Sequence, residues 1–157
     1  MMDRTDRHER FFLRSLSKKA FLYTEMINVN AVLFGDQNKL LKFNECEHPL
    51  AIQLGGNDPI KLGDSAIISE AYGYDEINLN IGCPSSKVQN GEFGAVLMKN
   101  PKLVAQCIKS IKDKVKIPVS VKCRIGVDDM NEDKDLSAFI KEVSDSGCKV
   151  FIVHARK

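Results

Sequence analysis

A chain of 157 residues, 43% hydrophobic and 28% charged, has the makeup of an ordinary globular domain, which excludes disorder as its default state. Its 23 basic and 21 acidic side chains leave a formal charge of only +2, so bulk electrostatics do not mark a nucleic-acid binder and any such binding must be local. No apolar run approaches the roughly 20 residues of a membrane helix, and the first residues lack the apolar core of a signal peptide, so the chain reads as cytoplasmic with no membrane partner.

In chain order, a first helix is expected from about Thr5 to Leu16, a strand from Phe21 to Met26, and a short helical piece from Asn28 to Phe34 that ends at Gly35. The strand Leu50 to Leu54 stops at Gly55-Gly56. Asn57 or Asp58 then caps a helix with Pro59 at its first position, where a missing N–H costs nothing, and Gly73 closes it. A third strand, Glu76 to Ile81, runs into Gly82-Cys83-Pro84-Ser85. Asn100-Pro101 opens a helix to about Val115, and Pro118 introduces a strand from Val119 to Ile125. A helix from Lys134 to Ser146 ends at Gly147, and Val150 to His154 is the fifth strand. No internal repeat, low-complexity tract or linker divides residues 1–157, so one domain is expected.

Strands alternating with helices imply right-handed crossovers and a parallel sheet, either an α/β barrel or an open doubly wound sheet. Strand parity favours the barrel. Ile77, Leu79 and Ile81 share one face and Asn78 and Asn80 the other; Val119, Val121 and Cys123 oppose Ser120, Lys122 and Arg124; Ile52 and Leu54 oppose Gln53; Phe151 and Val153 oppose His154. Strands covered on both faces usually read as continuous apolar runs, and these do not. With the apolar face on the helices, Gln53, Asn80, Lys122, Arg124 and His154 point inward near the C-terminal strand ends, where parallel barrels place their chemistry.

Cys83, just past a strand end, is a candidate nucleophile or general acid, against the plain alternative of a small buried apolar residue. Cys46, Cys107, Cys123 and Cys148 suit that plain alternative. An inward Lys122 must meet an anion or a hydrogen-bond acceptor or else lose its charge, with a structural ion pair as the plain alternative. Gln53 and Asn80 are amides suited to reading heterocycle edges, against the plain alternative of satisfied core polar groups, and His154 could bind a cofactor or merely satisfy a carbonyl. Five cysteines with no Cys-x-x-Cys pair, and three dispersed histidines, offer no disulfide framework and no metal site. Neither a P-loop nor a Gly-x-Gly-x-x-Gly fingerprint occurs. On the first helix, Arg7, Arg10, Arg14 and Lys18 form a basic stripe opposite Phe12, Leu13 and Leu16, read as a solvated face in preference to a phosphate contact.

Taken together, Thr5-Asp6-Arg7-His8, Tyr23-Thr24-Glu25-Met26, Gln53-Leu54-Gly55-Gly56, the run from Gly73 to Ser85, Val88-Gln89-Asn90-Gly91, Lys122-Cys123-Arg124-Ile125-Gly126 and His154-Ala155-Arg156-Lys157 resemble the tRNA-dihydrouridine synthases, most of all the bacterial A-type branch acting on D-loop uridines. The resemblance implies an FMN-binding α/β barrel of the TIM (β/α)8 type that reduces the uridine C5=C6 bond in tRNA with NADPH. By the same resemblance, Cys83 donates a proton to C5, Gln53, Lys122 and His154 contact FMN, and Asn80 meets the tRNA, with Arg124, Arg156 and Lys157 as weaker correspondences. Lysine near the flavin's pyrimidine end would stabilise negative charge there. An ordinary thiol, with a pKa near ~8.5, is mostly protonated at neutral pH and can serve as a proton donor.

Such a barrel usually needs roughly 250 residues. About five of its eight strands are expected here, so the barrel is expected to be incomplete. By the resemblance, Met1 stands at the end of a missing first strand, and two further strands holding the FMN phosphate and a C-terminal helical tRNA-binding domain lie beyond Lys157. The complete protein is expected to be monomeric. The alternatives are an inactive or RNA- or partner-binding remnant, and another FMN barrel reductase acting on a free pyrimidine.

Overall fold

The computed structural model describes residues 4–157, apart from the side chains of Lys87 and Gln89. The expected place of Met1 and the Gln89 side chain of the Val88–Gly91 motif therefore lie outside the described residues.

Helix α1 (Arg7–Leu16) starts where Asp6 accepts the backbone N–H groups of His8 and Glu9. Strand β1 (Leu22–Asn28) runs into α2 (Val29–Phe34), with Asn28 as its cap, and then α3 (Gln37–Leu41) and a 3-10 turn (Glu45–Glu47) lead to β2 (Leu50–Gly55). Helix α4 (Pro59–Tyr72) is capped by Asp58, carries its proline in the first turn, and ends at Gly73 with φ 98°, a left-handed conformation that glycine adopts without steric cost. Strand β3 (Glu76–Ile81) leads through the short helix α5 (Ser86–Asn90) and a second 3-10 segment (Gly94–Lys99) to α6 (Pro101–Lys112), capped by Asn100. Strand β4 (Val119–Arg124), α7 (Lys134–Asp145) and β5 (Val150–His154) complete the order.

The five strands form one parallel sheet in the order β1-β2-β3-β4-β5. A doubly wound sheet reverses its strand order at a switch point. This sheet keeps chain order throughout, as successive βα units of a barrel do. The helices agree: α2 packs on α4, α4 on α6 and α6 on α7, a single layer of neighbours. The fold is therefore α/β, with the all-parallel sheet of a partial barrel.

The core lies between that sheet and that layer. Ile52, Leu54, Ile77, Leu79, Ile81, Val121 and Cys123 are fully buried with Leu62, Ala66, Val104, Ile108 and Ile111 of α4 and α6. The expected parity holds through β2, β3 and β4, and the polar residues of these strands occupy the opposite face.

Helix α1 departs from expectation. Arg10 is buried and pairs with the buried Glu47, Nε to Oε2 at 2.5 Å, while Arg14 donates to the carbonyls of Glu47 at 2.8 Å and Ser17 at 2.9 Å. Phe12 and Leu16 on the other side are exposed. The basic stripe is thus neither a solvated face nor a phosphate contact at its centre: the loop before β2 supplies a carboxylate and carbonyls that make the arginine face the buried one.

Candidate active site

The helix-free face of the sheet carries Gln53 on β2, Glu76, Asn78 and Asn80 on β3, Ser120, Lys122 and Arg124 on β4, and His154 on β5. Register brings them together: Gln53 sits beside Asn78, Asn78 beside Ser120, Asn80 beside Lys122, and Arg124 beside His154. Residues scattered over a hundred positions of sequence thereby occupy one patch, as the parity of the strands predicts.

Hydrogen bonds knit the middle of the patch. Gln53 Nε2 donates to Asn78 Oδ1 at 2.8 Å, Asn80 Nδ2 to Gln53 Oε1 at 2.7 Å, and Asn78 Nδ2 to Ser120 Oγ at 2.7 Å. Asn80 Oδ1 in turn accepts the backbone N–H groups of Gly82 at 3.1 Å and Cys83 at 2.9 Å. With both lone pairs of that oxygen engaged, Asn80 offers an incoming ligand only its remaining Nδ2–H, and Gln53 likewise keeps one free Nε2–H.

Cys83 is half-buried at the end of β3, and its backbone is held on several sides. Besides Asn80, Arg124 Nε donates to the Gly82 carbonyl at 2.8 Å, and the Ala95 N–H donates to the Cys83 carbonyl at 3.0 Å. Gly94 makes the last contact feasible: its φ is 74°, and a Cβ there would lie 2.7 Å from the Cys83 carbonyl oxygen and 2.5 Å from a Val88 methyl. The thiol thus stands on a fixed loop at the C-terminal end of the sheet. The other cysteines differ: Cys46 is exposed, while Cys107, Cys123 and Cys148 are buried, and burial pushes the Cys107 thiol up to about 12 and Cys123 up to about 11.

The cationic end of the patch is open. Among the described residues no carboxylate lies within ion-pair distance of Lys122, so the structural pair that would explain a lysine in mid-strand is not formed. Partial desolvation and then Lys122, Arg124 and Arg156 in turn hold the His154 imidazole below its usual range, which keeps it neutral near pH 7. Amide N–H groups and nearby cations make this a donor-rich face with positive potential, suited to an acceptor-rich or anionic ligand.

The family model for dihydrouridine synthases matches residues 1–157. The chain belongs to the dihydrouridine synthase family. Three relatives, each named tRNA-dihydrouridine(20/20a) synthase, show how similar it is: one from Synechocystis is 54% identical over 157 residues, all of this chain and 47% of the relative. One from Escherichia coli K12 is 55% identical over 158 residues, all of this chain and 46% of the relative, and one from Pseudomonas aeruginosa is 52% identical over 99% of this chain and 47% of the relative. The chain spans about half the length of the curated relatives it matches.

In this member of the family the structure brings Gln53, Asn80, Lys122 and His154 onto one face, with Cys83 at its rim. Sequence reasoning did not single out Glu76, Asn78, Ser120 or Gly94. The first three carried a readable signal, since a carboxylate, an amide and a hydroxyl sit on the polar parity of β3 and β4; the Gly94 contact arises from loop geometry and has no such signal. Among the described residues no cluster of His, Cys, Asp or Glu could hold a metal ion, and no helix is long and apolar enough to cross a membrane.

Proposed function

We propose that this chain is the part of a tRNA-dihydrouridine synthase that carries the proton donor and part of the flavin site, acting in the cytoplasm on D-loop uridines of tRNA. The observation that carries the reading is Lys122, without a carboxylate partner among the described residues, on a face of amide donors whose rim holds the half-buried Cys83. That donor set fits FMN, whose isoalloxazine edge consists of carbonyl oxygens and ring nitrogens. When bound, FMN supplies the hydride for C6 of uracil, with NADPH as its source.

The chain's own residues do the rest. Gln53, Lys122 and His154 hold the flavin, the ammonium of Lys122 offsetting negative charge and the neutral imidazole of His154 accepting or donating a hydrogen bond without adding charge. Asn80 meets the uridine with its single free N–H, a donor that suits a uracil carbonyl. Cys83 gives its thiol proton to C5, from a loop fixed by Asn80, Arg124 and Ala95. Uridine within a folded tRNA must leave its stack to reach these groups.

The test is Cys83→Ala in the full chain with tRNA, NADPH and FMN. Uridine reduction is expected to fall ~10²- to 10⁴-fold, the usual contribution of a positioned acid, while NADPH still reduces the flavin. Undiminished uridine reduction overturns the proton-donor role, and reduction of free uridine in preference to tRNA overturns the substrate.

A further inference from the structure

The proposed reaction does not use four polar groups of the helix-free face, namely Glu76, Asn78 and Ser120, all buried, and the hydroxyl of Tyr23 on β1. They extend the amide row into one chain. Asn78 Nδ2 donates to Ser120 Oγ, the Ser120 hydroxyl donates to Glu76 Oε1, and the Tyr23 hydroxyl approaches the same oxygen at 3.4 Å.

The direction of every link is dictated from the Cys83 end. Backbone N–H groups only donate, so Asn80 must turn its oxygen to Gly82 and Cys83 and its nitrogen to Gln53. Gln53 must then turn its oxygen to Asn80 and its nitrogen to Asn78, and Asn78 its oxygen to Gln53 and its nitrogen to Ser120. The Ser120 oxygen, already accepting, has one proton left to place, and it needs a neighbour that accepts. Glu76 is that neighbour. An apolar side chain at this position would leave the Ser120 proton without an acceptor and remove the anchor at the far end of the row, so that the three amides are held in orientation from the Cys83 end alone.

We propose that Glu76 is a positioning residue for Cys83, acting through Ser120, Asn78, Gln53 and Asn80. The chain moves no proton. It fixes orientation: Asn80 Oδ1 stays on the Gly82 and Cys83 N–H groups, and the free N–H of Asn80 and Gln53 stays available as a donor. The proposal rests on the reading of Cys83 as proton donor to uridine, and the two fail separately.

The experiment compares Glu76→Leu and Ser120→Ala with Glu76→Gln and Ser120→Thr in the full chain. The second pair keeps an acceptor at 76 and a hydroxyl at 120. Labelling by iodoacetamide is followed cysteine by cysteine, with exposed Cys46 as internal reference and buried Cys107, Cys123 and Cys148 as reporters of general opening. In Glu76→Leu and Ser120→Ala the Cys83-to-Cys46 labelling ratio is expected to change ~10-fold and kcat for uridine reduction to fall ~10- to 100-fold, more than KM for tRNA moves, as for a misplaced reacting group. The Gln and Thr variants should restore both, and the buried cysteines should stay unlabelled throughout.

Ser120→Ala removes a single oxygen atom and carries the test even if Glu76→Leu does not fold. An unchanged ratio in folded Ser120→Ala overturns the proposal, and so does a change shared by the buried cysteines, which would report general loosening. A shifted ratio together with full uridine reduction in Cys83→Ala supports the positioning chain and overturns the proton-donor reading instead.

Discussion

On the flank of the sheet, Arg10 lies buried against Glu47; on the helix-free face, Lys122 stands in mid-strand with no carboxylate beside it among the described residues. The first charge is answered in full. Arg10 also donates to the Thr5 carbonyl at 2.7 Å, and Glu47 Oε1 accepts from the Asn44 backbone and side chain. The second shares its face with Arg124 and His154, and together with Arg124 and Arg156 it lowers the proton affinity of that histidine. A charge whose partners all come from the same chain serves the fold; one that has no carboxylate partner among the described residues is arranged for something that arrives from outside.

The contrast can be broken most forcefully at Glu47. Glu47→Ala in the full chain strands a buried guanidinium and should lower stability by ~3–5 kcal/mol in urea unfolding, with much of the loss regained when Arg10 is replaced by Met as well. If Glu47→Ala is neutral, the flank is no structural clamp. Lys122→Met should do the reverse. Losing a charge-assisted contact is worth ~1.5–3 kcal/mol, or ~10- to 100-fold weaker FMN binding by fluorescence titration. The urea midpoint should hold or rise, because no partner is left unpaired; a midpoint that falls as far as in Glu47→Ala would make Lys122 structural too.

The finest test is the His154 imidazole, followed by proton NMR. Its titration midpoint should lie below the 6.5 of an unperturbed histidine and move toward it in Lys122→Met. The sign follows from the causes: desolvation and three neighbouring cations all disfavour the imidazolium, so removing one cation makes protonation easier. A midpoint indifferent to Lys122 would separate the two residues electrically.

Much of the candidate site was legible because strand parity is a rigid rule. Once Asn78 and Asn80, Ser120 and Lys122, and Gln53 are assigned to the polar side of alternating strands, a parallel register has to gather them. Strands β3 and β5 span the expected Glu76–Ile81 and Val150–His154, and Asp58-Pro59 and Asn100-Pro101 mark their helix starts through capping chemistry that is local. Helix α3 and the two 3-10 segments are too short to show a period, and the only local marks of the first two are the Asp36 cap and the Asn44–Glu47 capping box. Helix α1 misled for a different reason: amphipathic spacing tells which residues share a face, not which face is covered. That choice was made by Glu47, 37 residues away in sequence.

The agreement between chain order and strand order has a consequence for how the molecule comes into being. Each strand after the first pairs with the one synthesised just before it, across a connection of one to three helical segments. Contacts of short sequence separation form quickly, and segments emerging from the ribosome at ~5–20 residues per second leave time for each to settle. Every new βα unit would find its template already displayed, so the sheet can grow in the direction of translation. Lys122 reaches its place beside Asn80 only after Cys83 and the strand that bears it have been laid down.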